Sequence, residues 1–217
     1  LGNSSNIQEI ASLAKKNEIY VSYTKAIGDL ENDCYNTSVL KGTLGSDNIN
    51  FEEFFTHDDC SNWDRREGPA QAGGRMIKFK NNIFLTIGDF KNLELYSTVE
   101  NRLFSKIISI DIDTKKYKII SKGHRNPQGL LYIENKDLII SSEHGPKGGD
   151  EINRILIDTK EVPHYGWPIA SYGTFYGFES TEIRKNIIKY KNHEENDFVE
   201  PILVYEPAIG PSQIVQA

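Results

Sequence analysis

Short apolar, β-branched runs recur along the chain: "EIYVSYT" (18–24), "RMIKFK" (75–80), "NIFLTIGD" (82–89), "KIISIDID" (106–113), "YKIISKG" (117–123), "GLLYIE" (129–134), "DLIISSE" (137–143) and "EINRILID" (151–158). Most are five to eight residues long, and "KNN", "DTKK", "ENKD" and "GPKGGD" separate them as turn signals. That rhythm predicts a meander of antiparallel strands; βαβ units would need helical segments between strands. Only "NIQEIASLAKKN" (6–17) is a helix candidate, and a helix of that length is marginal without packing. Residues 169–200 carry no strong strand signal and predict a long loop, the kind that in a compact domain usually serves or covers a site.

The runs pair naturally into three hairpins: "RMIKFK–NN–IFLTIG", "ISIDI–DTKK–YKIIS" and "GLLYIE–NK–DLIISS". Successive hairpins on one chain suggest radial repetition, a β-propeller, although the repeat is weak residue by residue. At about 40–50 residues per blade, the 217 residues predict a single partial propeller domain over 1–217, of roughly four to five blades.

Composition narrows the function classes. The net charge of −6 argues against a general nucleic-acid binder. With 38% hydrophobic and 11% aromatic residues the chain is not disordered in composition, and no run is long enough to span a bilayer. The first residue is Leu1, so a leader segment could have been lost. Cys34 and Cys60 lie in polar, loop-like stretches, "ENDCYNTS" and "THDDCSNW". Neither has the short-spaced partners of a zinc site. A disulfide bracing two loops is preferred over two free thiols, which favours an oxidising compartment, periplasmic or extracellular.

Two clusters hold more charge, Gly and Pro than turns require: His124-Arg125-Asn126-Pro127 and Glu143-His144-Gly145-Pro146. Arg125 offers a planar fork of donors for carboxylates or quinone oxygens, or else braces neighbouring sheets through backbone carbonyls. Asn126 adds a neutral donor. Gly145 and Pro146 either present carbonyl oxygens to a hard cation or form a plain turn. "KGGD" lacks the spacing of a phosphate-binding loop.

In chain order, "IYVSYT", "AGGRMIKF…IFLTIGD", "GHRNPQGL", "SEHGPKGGDEIN", "YGWP" and "PAIGPSQI" resemble the soluble pyrroloquinoline quinone (PQQ) sugar dehydrogenases, the glucose/sorbosone dehydrogenase-like family that includes aldose sugar dehydrogenases. The resemblance runs from about residue 13 to the C-terminus. It implies a six-bladed propeller of which this chain would be the first and middle blades, with the last ones missing; the uncovered sheet faces of such an arc predict a partner chain, a missing C-terminal part or poor stability in isolation. It also implies a sugar substrate, PQQ and Ca²⁺. Arg125 and Asn126 match cofactor-contacting positions, and Gly145 and Pro146 match the carbonyls that hold the cofactor's Ca²⁺. Glu151 and the backbone of Tyr165 match a second, structural Ca²⁺ site, with the segment 157–164 between them lengthened here.

Two positions depart from the pattern. The family's catalytic His precedes Gly-Gly-Arg as His-x-Gly-Gly-Arg; here the position is Gln71, and a neutral amide cannot accept a proton. His57, Asp64, Glu67 and His144 are the substitutes in reach of the argument. His144 is the most attractive, with a lid over the cofactor edge as its alternative role. Where relatives carry an aromatic residue before the later Pro-Ser turn, this chain has Glu206, with Tyr205 beside it as a candidate for stacking on the cofactor. Two functions therefore stand: a divergent quinoprotein aldose dehydrogenase, and a non-catalytic, Ca²⁺-stabilised binding module of the same lineage. A lactonase-like propeller is a distant third, because further inward-facing acidic motifs are lacking.

Overall fold

The computed structural model describes residues 7–12, 17–28, 34–62, 70–91, 101–174, 189–190 and 193–216. Three antiparallel sheets form its frame. In the first, β1 (Ile7–Ser12), β2 (Glu18–Ile27), β3 (Cys34–Leu44) and β4 (Ile49–Phe55) follow one another, and β5 (Ser61–Asn62) also pairs with β3. The second is β6 (Gly73–Phe79), β7 (Asn82–Ile87), β8 (Lys106–Asp111) and β9 (Tyr117–Lys122). The third is β10 (Pro127–Ile133), β11 (Leu138–Glu143) and β12 (Asp150–Ile155), with β15 (Leu203–Tyr205) on its edge. The short β13 (Ala170–Ser171) and β14 (Lys189–Tyr190) pair in parallel. The first strands of the three sheets adjoin, with β6 lying against both β1 and β10.

The predicted hairpins are all present, as β6–β7, β8–β9 and β10–β11. The period of two explains why β7 and β8 are apolar on both faces. Ile83, Leu85 and Ile87 of β7 join Tyr20, Val39 and Phe54 in a core against the first sheet. Phe84 and Ile107 turn the other way and pack with Leu130, Ile139, Ile155 and Tyr165 against the third. The second sheet is thus sandwiched, and each fully buried Ile or Leu contributes roughly 1.5–3 kcal/mol.

The helix expected over 6–17 is not found where the chain is described: residues 7–12 form β1, paired antiparallel with β2. A lone short helix has no partner to bury a face against, whereas the strand gains a full ladder with β2 and a neighbour in β6. Much of the long loop expected over 169–200 lies outside the described residues. Cys34 and Cys60 form a disulfide that closes a 26-residue separation and ties the start of β3 to the chain entering β5. Among the described residues no helix is long and apolar enough to cross a membrane.

Candidate functional site

Two turns at one end of the second and third sheets carry the site. The first leaves β9 through Gly123. Its φ of +82° belongs to the left-handed region, and a Cβ there would lie 2.5 Å from the His164 ring, so this turn requires glycine. His124, Arg125 and Asn126 follow, and β10 begins at Pro127. The second turn leaves β11 after Glu143 and re-enters the sheet at Asp150. Asp150 Oδ1 accepts from Gly145 N (3.0 Å), and Oδ2 accepts from the backbone of Ile209 (2.8 Å) and Gly210 (2.7 Å).

The two turns meet. Arg125 Nη1 donates to the carbonyl of Gly145 (2.7 Å) and to that of His144 (3.2 Å). His144 N donates to Asn126 O (3.1 Å). The Asn126 side-chain oxygen accepts from Gly73 N (3.3 Å) and Gln128 Nε2 (2.8 Å), which joins the turn to the start of β6. The guanidinium also lies over the Trp167 ring, 5.3 Å from its centre, a cation–π contact.

Gln71 belongs to the same group. Its φ is +61°, and its carbonyl accepts from Phe90 N (3.1 Å). A Cβ on Gly88 would sit 1.8 Å from that oxygen, so the strand end after β7 must be glycine to come so close. In the orientation that satisfies both neighbours, the Gln71 amide donates to Asp89 Oδ1 (2.7 Å) and accepts from Arg125 Nη2 (2.7 Å). Asp89 Oδ2 accepts from Trp167 Nε1 (2.9 Å), and Oδ1 from Lys91 N (2.8 Å). A closed polar circuit results: Arg125, Gln71, Asp89, Trp167. Burial pushes the Asp89 carboxyl up to about 7, against the pull of the Arg125 charge and the N–H groups of Lys91 and Trp167. Burial wins because the cation is held off by the amide between them.

Of the other sequence-derived positions, His144 is half-buried and its Nε2 donates to Pro211 O (2.7 Å). That leaves Nδ1 as its basic nitrogen. His57 is half-buried, with both ring nitrogens out of reach of solvent and without a hydrogen-bond partner, and burial lowers its pKa to about 4. Asp64 and Glu67 lie outside the described residues. Tyr205 stands on the edge strand β15 opposite Asp150, its carbonyl accepting from Gly149 N (3.0 Å). Pro146 is buried within the second turn.

Glu151 sits on one face of the third sheet in a polar quartet set by register. Glu143 pairs with Glu151 and Ser141 with Asn153 across β11 and β12, so the four side chains adjoin. Asn153 Nδ2 donates to Glu143 Oε1 (2.7 Å) and Glu151 Oε2 (3.1 Å). Burial, then the neighbouring Glu143 charge, raises the Glu151 pKa well above the carboxylate range. Asn153 Oδ1 and Ser141 Oγ are buried without a hydrogen-bond partner. Glu151 with the two unpartnered oxygens of Asn153 and Ser141 makes a hard-oxygen donor set of the kind a hard cation takes, whereas both Glu143 oxygens are already bonded by protein donors. The Tyr165 carbonyl accepts from His193 Nε2 (3.3 Å). No group of three or more His, Cys, Asp or Glu is arranged as a metal cluster among the described residues.

Sequence reasoning gave no role to Asp89 and Trp167, nor to His124 and Glu143 although it named both within the two clusters. Each was visible inside a quoted motif, as an acid or ring closing an apolar run, a type that stays buried only when partnered.

A family model described as glucose/sorbosone dehydrogenase matches residues 6–216. The chain belongs to that family. It is 40% identical over 72 residues to the aldose sugar dehydrogenase YliI of Escherichia coli, a stretch covering 33% of this chain and 18% of that protein. The fold superposes on a crystal structure of glucose dehydrogenase with a TM-score of 0.77 at 23% identity, covering 96% of this chain and 61% of the other. It also superposes on the PQQ-bound form of aldose sugar dehydrogenase from Streptomyces coelicolor, with a TM-score of 0.63 at 19% identity, covering 94% and 54%. The chain therefore spans little more than half the length of these solved structures, and its three antiparallel sheets share the all-β, propeller-type fold expected from the sequence.

Proposed function

We propose that the protein containing this chain is a PQQ- and Ca²⁺-dependent aldose dehydrogenase of divergent type. The observation that carries the reading is the meeting of the Arg125 guanidinium with the Gly145 carbonyl at 2.7 Å. Anion-holding donors and cation-holding carbonyls, 20 residues apart in sequence, share one rim. When bound, PQQ supplies a quinone that takes hydride from the anomeric carbon of a sugar. The protein's own residues do the rest. Arg125 and Asn126 hold the carboxylates and quinone oxygens, Gly145 and Pro146 offer carbonyls to Ca²⁺, and Trp167 fixes the plane of the guanidinium. Tyr205 is the candidate for stacking on the cofactor. Glu151, with Ser141 and Asn153 beside it, would hold a second cation, with the Tyr165 backbone as the further ligand suggested by the family pattern. The disulfide supports a periplasmic or secreted location. Further blades or a second copy would cover the exposed Ile202, Leu203, Ile209 and Val215.

A specific observation favours the second reading, a non-catalytic binding module: the Gln71 amide is engaged on both sides, by Arg125 and Asp89. It cannot take the proton of a sugar hydroxyl, which leaves that task to His144 Nδ1. The test is turnover of aldoses with an artificial electron acceptor by the intact protein, loaded with PQQ and Ca²⁺. Activity in the wild type that disappears in His144→Gln supports the enzyme with a displaced base. A wild type that binds PQQ without turnover, and gains activity in Gln71→His, shows a binding module that has lost only its base. Absence of turnover in both proteins despite bound PQQ rejects the dehydrogenase.

A further inference from the structure

We infer that Glu143 is a positioning residue for Arg125, one buried carboxylate that sets the register of both turns of the candidate site. The inference rests on the reading of Arg125 as the anion-holding group. Glu143 ends β11 and is 3% exposed. Its Oε2 accepts from the backbone N–H of Arg125 (3.0 Å). Its Oε1 accepts from Asn153 Nδ2 (2.7 Å) and His124 Nδ1 (3.0 Å). The other nitrogen of His124 meets Ser121 Oγ at 2.7 Å, and its ring stacks on Tyr165 with centres 4.7 Å apart. Two consecutive residues of the first turn, His124 and Arg125, are thus held by this one carboxylate.

The second turn is bound to the same residue by the chain itself, since His144 and Gly145 follow Glu143 directly. Arg125 then closes the loop in reverse, its side chain bonding the carbonyls of those two residues. The side chain of Glu143 holds the backbone of Arg125, and the side chain of Arg125 holds the backbone after Glu143. A residue that only filled space would not need three donors converging on both oxygens, each with its own geometric demand. Both oxygens of the carboxylate are taken by protein donors. It acts by fixing where the guanidinium and the Gly145 oxygen stand relative to each other.

Glu143→Gln keeps the shape but replaces one acceptor oxygen by an NH₂ group, which must then face one of the three donors. The experiment is a double-mutant cycle on the intact protein: wild type, Glu143→Gln, Arg125→Ala and the double variant. PQQ affinity is measured in the presence of Ca²⁺. In parallel, Trp167 emission is recorded without cofactor in a Trp63→Phe background, since the chain has two tryptophans. Loss of a supporting contact behind a ligand-holding group costs about 10–100-fold in affinity, and that weakening is expected for Glu143→Gln. In the Arg125→Ala background the same substitution should add less than about twofold, because coupled residues are not additive. Trp167 emission should move in Glu143→Gln in the direction seen for Arg125→Ala, as the guanidinium leaves the ring. Equal weakening in both backgrounds, or an unmoved Trp167 spectrum, overturns the inference. If the wild type binds no PQQ, the functional reading fails, and the Trp167 readout alone decides the role of Glu143. Should Glu143→Gln not fold, Glu143→Asp, which keeps the charge but withdraws it by one methylene, enters the same cycle under the same criteria.

Discussion

Asp89 makes the stability of this protein depend on pH in a direction opposite to that of a salt-bridged carboxylate. The folded carboxyl stands at about 7 against an ordinary 3.8. Below about pH 4 both folded and unfolded chains hold this proton, and above about pH 7 neither does. Between those values the folded protein keeps a proton that the unfolded chain has released, so stability falls as pH rises. At about 1.4 kcal/mol for each tenfold difference in proton affinity, the full loss is about 4 kcal/mol. Asp89 is 1% exposed, so solvent does not screen the effect away. Asp89→Asn isolates it: the variant pays a fixed cost for its altered hydrogen bonds but has no proton to exchange. Urea unfolding of both proteins at pH 4, 5, 6, 7 and 8 gives the stability difference at each pH. That difference should change by about 4 kcal/mol across the series, with the wild type losing ground towards pH 8. Parallel curves for the two proteins would refute the argument, and a wild type that gains on the variant as pH rises would reverse its sign.

Three further outcomes are expected. Replacing both Cys34 and Cys60 by Ser should cost about 3.5 kcal/mol, the closure entropy of a loop of about 26 residues, measured by thermal unfolding and mirrored by adding reductant to the wild type. Gly123→Ala should destabilise by at least about 2 kcal/mol in denaturant titration, because the new methyl meets the His164 ring at a φ of +82°. Arg125→Lys should weaken PQQ binding nearly as much as Arg125→Ala, since an ammonium cannot bridge Gly145, His144 and Gln71 as the fork does; affinities of the two variants measured side by side decide it.

The frame of this fold was readable because its signals are local. Each hairpin carries its own turn, as in "DTKK" between β8 and β9, and period-two runs such as Asn82–Ile87 need no distant information to read as strands. Residues 7–12 were misread as part of a helix because their identity depends on a partner: Ile7 and Ile10 are defined by pairing with β2. The site divides the same way. Arg125, Asn126, Gly145 and Pro146 announce themselves by clustering within two turns. Asp89 does not, and Glu143, though inside the second cluster, shows no role there, because a buried acid is recognised by the donors that fold around it, and those come from residues up to 78 positions away, as with Trp167. Gln71 illustrates both limits. Its sequence position shows what it cannot do, and only the structure shows that it bridges Arg125 to Asp89.

The most direct test of the account is an absorbance titration of the intact protein with PQQ in the presence of Ca²⁺, run alongside Arg125→Ala. One saturable site with a shifted quinone band, weakened at least tenfold in the variant, is the predicted result. No spectral shift in the wild type, or equal affinity in both proteins, would contradict the assignment of the Arg125–Gly145 rim as a cofactor site.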